Sequence, residues 1–356
     1  MTDASAGRAA APPRLPLPPQ PEGVPWPTKH WPQAEPGPDV DSARLRLALD
    51  RVFAGPAPEA TGETQALVVV QRGVLVCERY GPELDADSTL ISWSMAKSIT
   101  HALVGILVGQ ERLDIHAPAP VPAWREAGDP RGAVTTEHLL RMVDGLDFVE
   151  DYVDEGVSHV IEMLFGAGKE DVAGYAEARP LAHEPGSWWN YSSGTSNVVS
   201  AIVGRAVAAE GDDMARFMRR ELFDRIGMFS AKPRFDAAGT FIGSSYVFAT
   251  ARDFARFGFL YVRDGCWERE RILPEGWVDH ARAPTPASRG WYGAHWWLAL
   301  DGSGIFHASG YRGQYIAVDP SRDLVVVRLG GSTPEQRVRV LHFMRDVVES
   351  FPAIRS

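Results

Sequence analysis

The chain has 356 residues, 45% hydrophobic and 23% charged, which suits a soluble globular fold of one large domain or two smaller ones. A net charge of −10 offers no basic surface to nucleic acid, and two cysteines, Cys77 and Cys266, make no disulfide framework. The apolar run ALVGILVG, residues 102–109, is too short to span a bilayer, so no membrane partner is expected.

Residues 1–40 are rich in Pro and Gly and lack periodicity, which predicts either an extended N-terminal arm lying on the surface, where Trp26 and Trp31 could dock, or a disordered segment. Residues 1–27 show no basic n-region leading into an apolar h-region, so no signal peptide is read and a cytoplasmic location is expected. SARLRLALDRVF has the period of a short helix, and TQALVVVQRGVLVCERYG reads as a β-hairpin turning at Gln71-Arg72-Gly73. LISWSMAKSITHALVGILVG reads as a buried helix, with Asp87, Ser88 and Ser92 available to cap it. Residues 111–240 carry mostly helical and loop patterns, with turns at Gly145, Gly156 and Pro185-Gly186. FATARDFARFGFLYVRDG reads as an amphipathic helix. Then come strands GIFHAS, QYIAVD and DLVVVRL, with a turn at Pro320-Ser321-Arg322, and a helix from about Pro334 to Ser350. No internal repeat is present.

Strands at both ends and helices between them predict an α/β (α+β) fold. An antiparallel sheet built from both termini would form one lobe, residues 41–110 and 241–356, and residues 111–240 a mostly helical second lobe. A substrate cleft would lie between the lobes.

Within SWSMAKSIT, residues 92–100, Lys97 stands out. Only four of the 36 basic residues are lysines, so position 97 looks like a place where arginine does not serve. Lysine can lose its proton and arginine cannot. Ser94 lies three residues earlier, on the same helix face. A serine hydroxyl needs a base to become a nucleophile, and a lysine whose pKa is lowered by burial can be that base. A bare S-x-x-K arises about once by chance in a chain of this size, so the apolar helix behind it carries the weight.

Two further elements join it. In WWNYSSGTSNVVSAIVG, Tyr191 precedes a Ser/Gly-rich turn, and such a tyrosine could shuttle a proton if cationic neighbours lowered its pKa. In HASGYRGQYIAVD, glycines allow a strand edge to approach a ligand closely and offer backbone N–H groups to an oxyanion. FGAGKED is no phosphate loop, no H-E-x-x-H or G-x-S-x-G occurs, and the ten histidines lack zinc-ligand spacing. No metal or cofactor is therefore expected. His183 and His295 read as satisfied structural histidines, most of the eleven tryptophans as core, and DFVEDYVDE as a solvated acidic loop.

The order S-x-x-K, Y-x-[NS], Gly-containing strand resembles the serine β-lactamase and penicillin-recognising hydrolases. The likeness extends from about residue 65 to 350 through SWSMAKS, HLLRMVDGLDF, PGSWWNYSSGTSN, RILPEGWV and GQYIAVDP, and points to the branch of 6-aminohexanoate-dimer hydrolase and class C-like (family VIII) esterases. The resemblance implies a β-lactamase/transpeptidase-like fold, Ser94 as acylated nucleophile, Lys97 as its base and Tyr191 as proton shuttle. It implies an oxyanion hole from the N–H groups of Ser94 and Tyr311. Tyr152 would match a mobile tyrosine closing over amide substrates, and Trp297, Ser193, Ser309 and Gly310 would contact substrate. Class C β-lactamases have Asn where Ser193 stands, and Lys-Thr-Gly where Ala308-Ser309-Gly310 stands, which weakens the case for a β-lactam carboxylate. The expected partner is a small linear amide or ester. β-Lactamase or D-alanyl-D-alanine peptidase-like activity, a catalytically silent binding role, and a homodimer stay open.

Overall fold

Strands β1 (Glu63–Gln71) and β2 (Val74–Tyr80) form the expected hairpin in the computed structural model, which describes residues 14–53, 61–152, 157–299 and 301–354. Both turn residues have positive φ, 50° at Arg72 and 79° at Gly73, as a tight hairpin between twisted strands requires. Strands β3 (Thr89–Ile91), β4 (Lys232–Pro233) and β5 (Val247–Thr250) make a small separate sheet in the order β3-β5-β4. Strands β6 (Cys266–Trp267) and β7 (Glu270–Arg271) pair with each other. Strands β8 (Trp297–Leu298), β9 (Phe306–Gly310), β10 (Gln314–Asp319) and β11 (Leu324–Gly331) complete a six-stranded sheet, order β2-β1-β11-β10-β9-β8. All its pairings are antiparallel, and β1 lies against β11, so the N- and C-terminal strand groups close one sheet.

Both faces of this sheet are apolar, and the period of two assigns alternate residues to two cores. Ala66, Val68 and Val70 of β1, with Ile316, Val318, Val325 and Val327, face α2 (Ala96–Gly109) and α8 (Ala251–Val262). Leu67, Val69, Tyr315, Ala317 and Val326 face α1 (Ser42–Phe53) and α10 (Arg337–Glu349). Between them the chain forms α3 (Thr136–Leu140), α4 (His159–Phe165), α5 (Val172–Glu177), α6 (Ser193–Ala208) and α7 (Met214–Met218). The short helix α9 (Trp277–Ala281) follows β7. Gly145 and Gly186 turn with φ of 81° and 86°; Gly156 lies outside the described residues. The architecture is the mixed α/β, antiparallel-sheet fold expected from the sequence.

The helix read as amphipathic departs from that reading, since every residue of α8 except Arg252 is buried. Its polar side lies under the N-terminal arm. Residues 1–13 lie outside the described residues, but residues 14–40 cross α8 without forming a helix or strand. Trp26 and Trp31 pack on Phe259 at ring-centroid distances of 5.8 and 5.7 Å. The buried charges are paired: Arg256 with Asp253 at 2.6 Å and the Pro27 carbonyl at 2.8 Å, and Arg263 with Asp323 at 2.6 Å and Gln20 at 2.9 Å. No described helix is long and apolar enough to cross a membrane.

Candidate active site

The segment after β3 carries the first group of the site. Ser94 lies in a 3₁₀ turn, Trp93–Met95, immediately before α2. Trp93 has a φ of 43°, a left-handed conformation unusual for a bulky residue. Its ring packs on Tyr246 and Tyr311, each at 5.7 Å. The expected side-chain cap is absent: Ser92 instead donates to the Trp93 and Ser245 carbonyls at 2.9 and 3.2 Å and accepts from Val247 N–H at 3.0 Å. Ser88 bonds Asp85, and β3 separates Asp87 and Ser88 from the helix. Ser92 thus ties the turn to β5 rather than ending a helix.

Lys97 is buried, with its Nζ 3.1 Å from Ser94 Oγ, 3.0 Å from Ser193 Oγ and 2.9 Å from the Ser244 carbonyl. It sits 4.9 Å from the centroid of the Tyr191 ring. Burial pushes its pKa down from 10.5 to about 8, against the opposing charge of Glu150. A lysine so placed reaches the neutral state at mildly alkaline pH, and its lone pair can take the proton of Ser94.

Tyr191 and Ser193 come from the turn that opens α6. Ser192 caps that helix by accepting Thr195 N–H at 2.9 Å, and Gly194 packs so tightly on the Phe148 ring that a Cβ would overlap it. The preceding segment is fastened here as well: Asn190 donates to the Phe148 carbonyl at 2.8 Å, and Thr195 to Asp144 at 2.8 Å. The Tyr191 hydroxyl is pushed up, not down: burial and the charge of Glu150 raise it, opposed by its hydrogen bond to Ser94 and the charge of Arg337. The condition set by the sequence reading, cationic neighbours that lower it, is thus not met: Arg337 acts in that direction but is outweighed by burial and Glu150. Burial thus favours the protonated phenol of Tyr191.

Strand β9 closes the third side. Gly310 approaches so near that a Cβ there would overlap the Ser92 carbonyl oxygen, so glycine lets the strand end lie against the Trp93–Met95 turn. Tyr311 follows, its carbonyl held by Gln314 Nε2 at 3.1 Å, while the same side chain reaches the Gly330 carbonyl at 2.6 Å. Ser94, Tyr191, Tyr152, Trp297, Ser309, Gly310 and Tyr311 line one cavity of about 430 Å³. Trp297 packs on Tyr191 at 5.1 Å, and Tyr152 stacks on Tyr311 at 4.9 Å.

Ser193 departs from its expected place. It is fully buried beside Lys97 rather than lining the cavity, and its hydroxyl donates to Glu150 Oε1 at 2.6 Å. Three contributors escaped the sequence reading. Glu150 belongs to the acidic stretch read as a solvated loop; residues 153–156 of that region lie outside the described residues. Ser244 contributes only a carbonyl, for which a sequence carries no signal beyond the neighbouring Gly243, whose missing Cβ leaves room for Thr100. Arg337, at the start of α10, lines the cavity and makes no ion pair among the described residues. His295 is held by the Leu140 carbonyl at 2.8 Å and Ser196 at 3.0 Å, whereas His183 is exposed and stacks on Trp188. Among the described residues no group of three or more His, Cys, Asp or Glu side chains could hold a metal ion.

A family model described as Beta-lactamase matches residues 59–348. The 6-aminohexanoate-dimer hydrolase of Paenarthrobacter ureafaciens is 25% identical over 300 residues, 78% of this chain and 75% of that protein. Among solved structures, a Bacillus anthracis protein provisionally named 6-aminohexanoate-dimer hydrolase aligns with a TM-score of 0.74 at 23% identity, covering 91% of this chain and 89% of that one. A family VIII carboxylesterase aligns with a TM-score of 0.64 at 14% identity, over 88% and 99% of the two chains. At these identities the structural likenesses speak for the fold.

Proposed function

Because this chain belongs to the beta-lactamase family, we propose that it is a serine hydrolase that cleaves small linear amides or esters through an acyl-enzyme on Ser94. The observation that carries this reading is the buried Lys97 amine 3.1 Å from Ser94 Oγ. Neutral Lys97 takes the Ser94 proton as Oγ bonds to the substrate carbonyl carbon. The carbonyl oxygen gains the negative charge, for which the N–H groups of Ser94 and Tyr311 are the proposed donors. When the carbon–nitrogen or carbon–oxygen bond breaks, Tyr191 gives its proton to the leaving amine or alcohol and is resupplied from the Lys97 ammonium. Water then attacks the ester on Ser94, its proton passes through the same groups to Ser94 Oγ as the acyl–oxygen bond breaks, and the acid leaves. Tyr152, Trp297, Ser309 and Gly310 are proposed to border the substrate, as lining residues of the cavity. The likeness to 6-aminohexanoate-dimer hydrolase supports amides of amino acids as one substrate class.

A β-lactam or peptide substrate is favoured by one observation: Arg337 brings a positive charge toward Tyr191, where Ala308 brings none. Rates on p-nitrophenyl butyrate, 6-aminohexanoate dimer and nitrocefin separate the readings. Short-chain ester or linear amide turnover is expected to exceed nitrocefin turnover, and the reverse order in kcat/KM would favour the second reading. Ser94→Ala is expected to abolish all three activities while leaving the protein folded. Turnover retained by that purified variant would refute the nucleophile.

A further inference from the structure

Lys97 Nζ has three neighbours, and the question is which of them meets its lone pair. A neutral amine has two N–H groups and one lone pair. The Ser244 carbonyl, 2.9 Å away, can only accept, so it takes one N–H. Ser193 Oγ, 3.0 Å away, could either accept or donate. Its one proton is already committed, because Glu150 Oε1 lies 2.6 Å away and a carboxylate accepts only. The same carboxylate is pinned through Oε2, which receives the Ser193 backbone N–H at 2.7 Å. Ser193 therefore accepts the second N–H of Lys97. The lone pair is left facing Ser94 Oγ, where the proton to be removed sits.

We infer that Glu150, acting through Ser193, fixes the direction in which Lys97 presents its lone pair to Ser94, and is thus a positioning residue for acylation. The inference rests on the reading of Ser94 as nucleophile and Lys97 as base. Without the carboxylate, the Ser193 hydroxyl is free to turn its proton onto Nζ. An N–H of Lys97 then faces Ser94 Oγ, and no base is in place. The arrangement also explains why a short serine suffices at this position: the pair Ser193 and Glu150 supplies the fixed acceptor that a lone hydroxyl cannot.

Glu150 acts on Lys97 by charge as well. Around this centre stand Glu150, Tyr152, Tyr191 and Tyr292, with Arg337 beyond Tyr191, Asp151 beside Glu150 and His295 behind Lys97. Glu150 is the carboxylate that holds the Lys97 ammonium up against burial. Removing its charge lowers the Lys97 pKa from about 8, so the amine becomes neutral at lower pH. Loss of direction and loss of charge thus push the pH profile in separable ways: the plateau falls while the acid limb moves down.

The test is the rate of fluorophosphonate labelling of the full-length protein, followed across about pH 5 to 10, with the labelled residue mapped by mass spectrometry. Wild type is expected to label at Ser94 with a limb near pH 8. Glu150→Gln is expected to lower the plateau about tenfold or more, the scale on which small misplacements act, and to shift the limb to lower pH. Ser193→Ala, which removes the acceptor and leaves the carboxylate, is expected to lower the plateau too, and serves if the glutamine variant folds poorly. Glu150→Gln combined with Ser193→Asn restores an acceptor oxygen, so it is expected to regain the plateau but keep the lowered limb. A wild type that labels at Ser94 beside a Glu150→Gln variant with the same plateau and limb would overturn the inference alone. A folded wild type that never labels at Ser94 would remove the base reading, and the inference with it.

Discussion

Lys97 is the proposed base, and its replacement by arginine separates two roles. Arginine keeps a positive charge and much of the apolar stem, but it does not give up its proton in proteins. If Lys97 is a base, Lys97→Arg and Lys97→Ala are both expected to lose on the order of 10²-fold or more in kcat while staying folded. A fully active arginine variant would make Lys97 a structural charge. The pH dependence follows from the depressed pKa: as the proposed base, Lys97 must be neutral, so activity is expected to rise with pH and level off above about 8. A limb that stays near 10.5 would mean that Lys97 titrates as an exposed lysine. This residue was legible because the chain has so few lysines. Glu150 was not, because an acidic residue in an acidic stretch is usually solvated. Only the fold brings it beneath the first turn of α6.

At the scale of elements, the site is the meeting of a 3₁₀ turn, a helix start and a strand end. Gly310 is where the strand end and the turn come closest, and a Cβ there would overlap backbone that cannot swing away. Gly310→Ala is therefore expected to push β9 from Ser94 and misplace Tyr311, lowering kcat about tenfold or more with a small change in thermal midpoint. A variant with unchanged kcat would show that the close approach is not used. Strands were readable from their period and helices from their apolar spacing. Burial of the polar face of α8 was not readable, because an amphipathic pattern predicts water on that side. Here the arm, the paired Arg256 and Arg263 and their carboxylates replace the water.

The whole molecule is a sheet closed between its two termini, with a helical region inserted and an arm laid across the outside of α8. The described part of the arm, residues 14–40, contributes no residue to the cavity, so its role is expected to be stability. Trp31, 6% exposed and packed on Phe259, tests this. Trp31→Ala is expected to cost about 3 kcal/mol and to lower the thermal midpoint by several degrees, with kcat/KM for a p-nitrophenyl ester nearly unchanged. A midpoint equal to wild type would mean that the arm is not a fixed part of the fold. The joining of both termini in one sheet was legible from where the strand patterns fall. The docking of a Pro-rich arm without period was visible only as two tryptophans in an otherwise aperiodic stretch.

One measurement bears most directly on the chemistry: trapping the acyl-enzyme itself. Wild-type protein would be mixed with p-nitrophenyl butyrate, quenched in acid within the first turnover, digested and mapped by mass spectrometry. The expected result is one butyryl group on the peptide that carries Ser94, formed in step with p-nitrophenol release and absent from Ser94→Ala. A butyryl group on another residue, or full turnover by Ser94→Ala with no adduct at all, would contradict it.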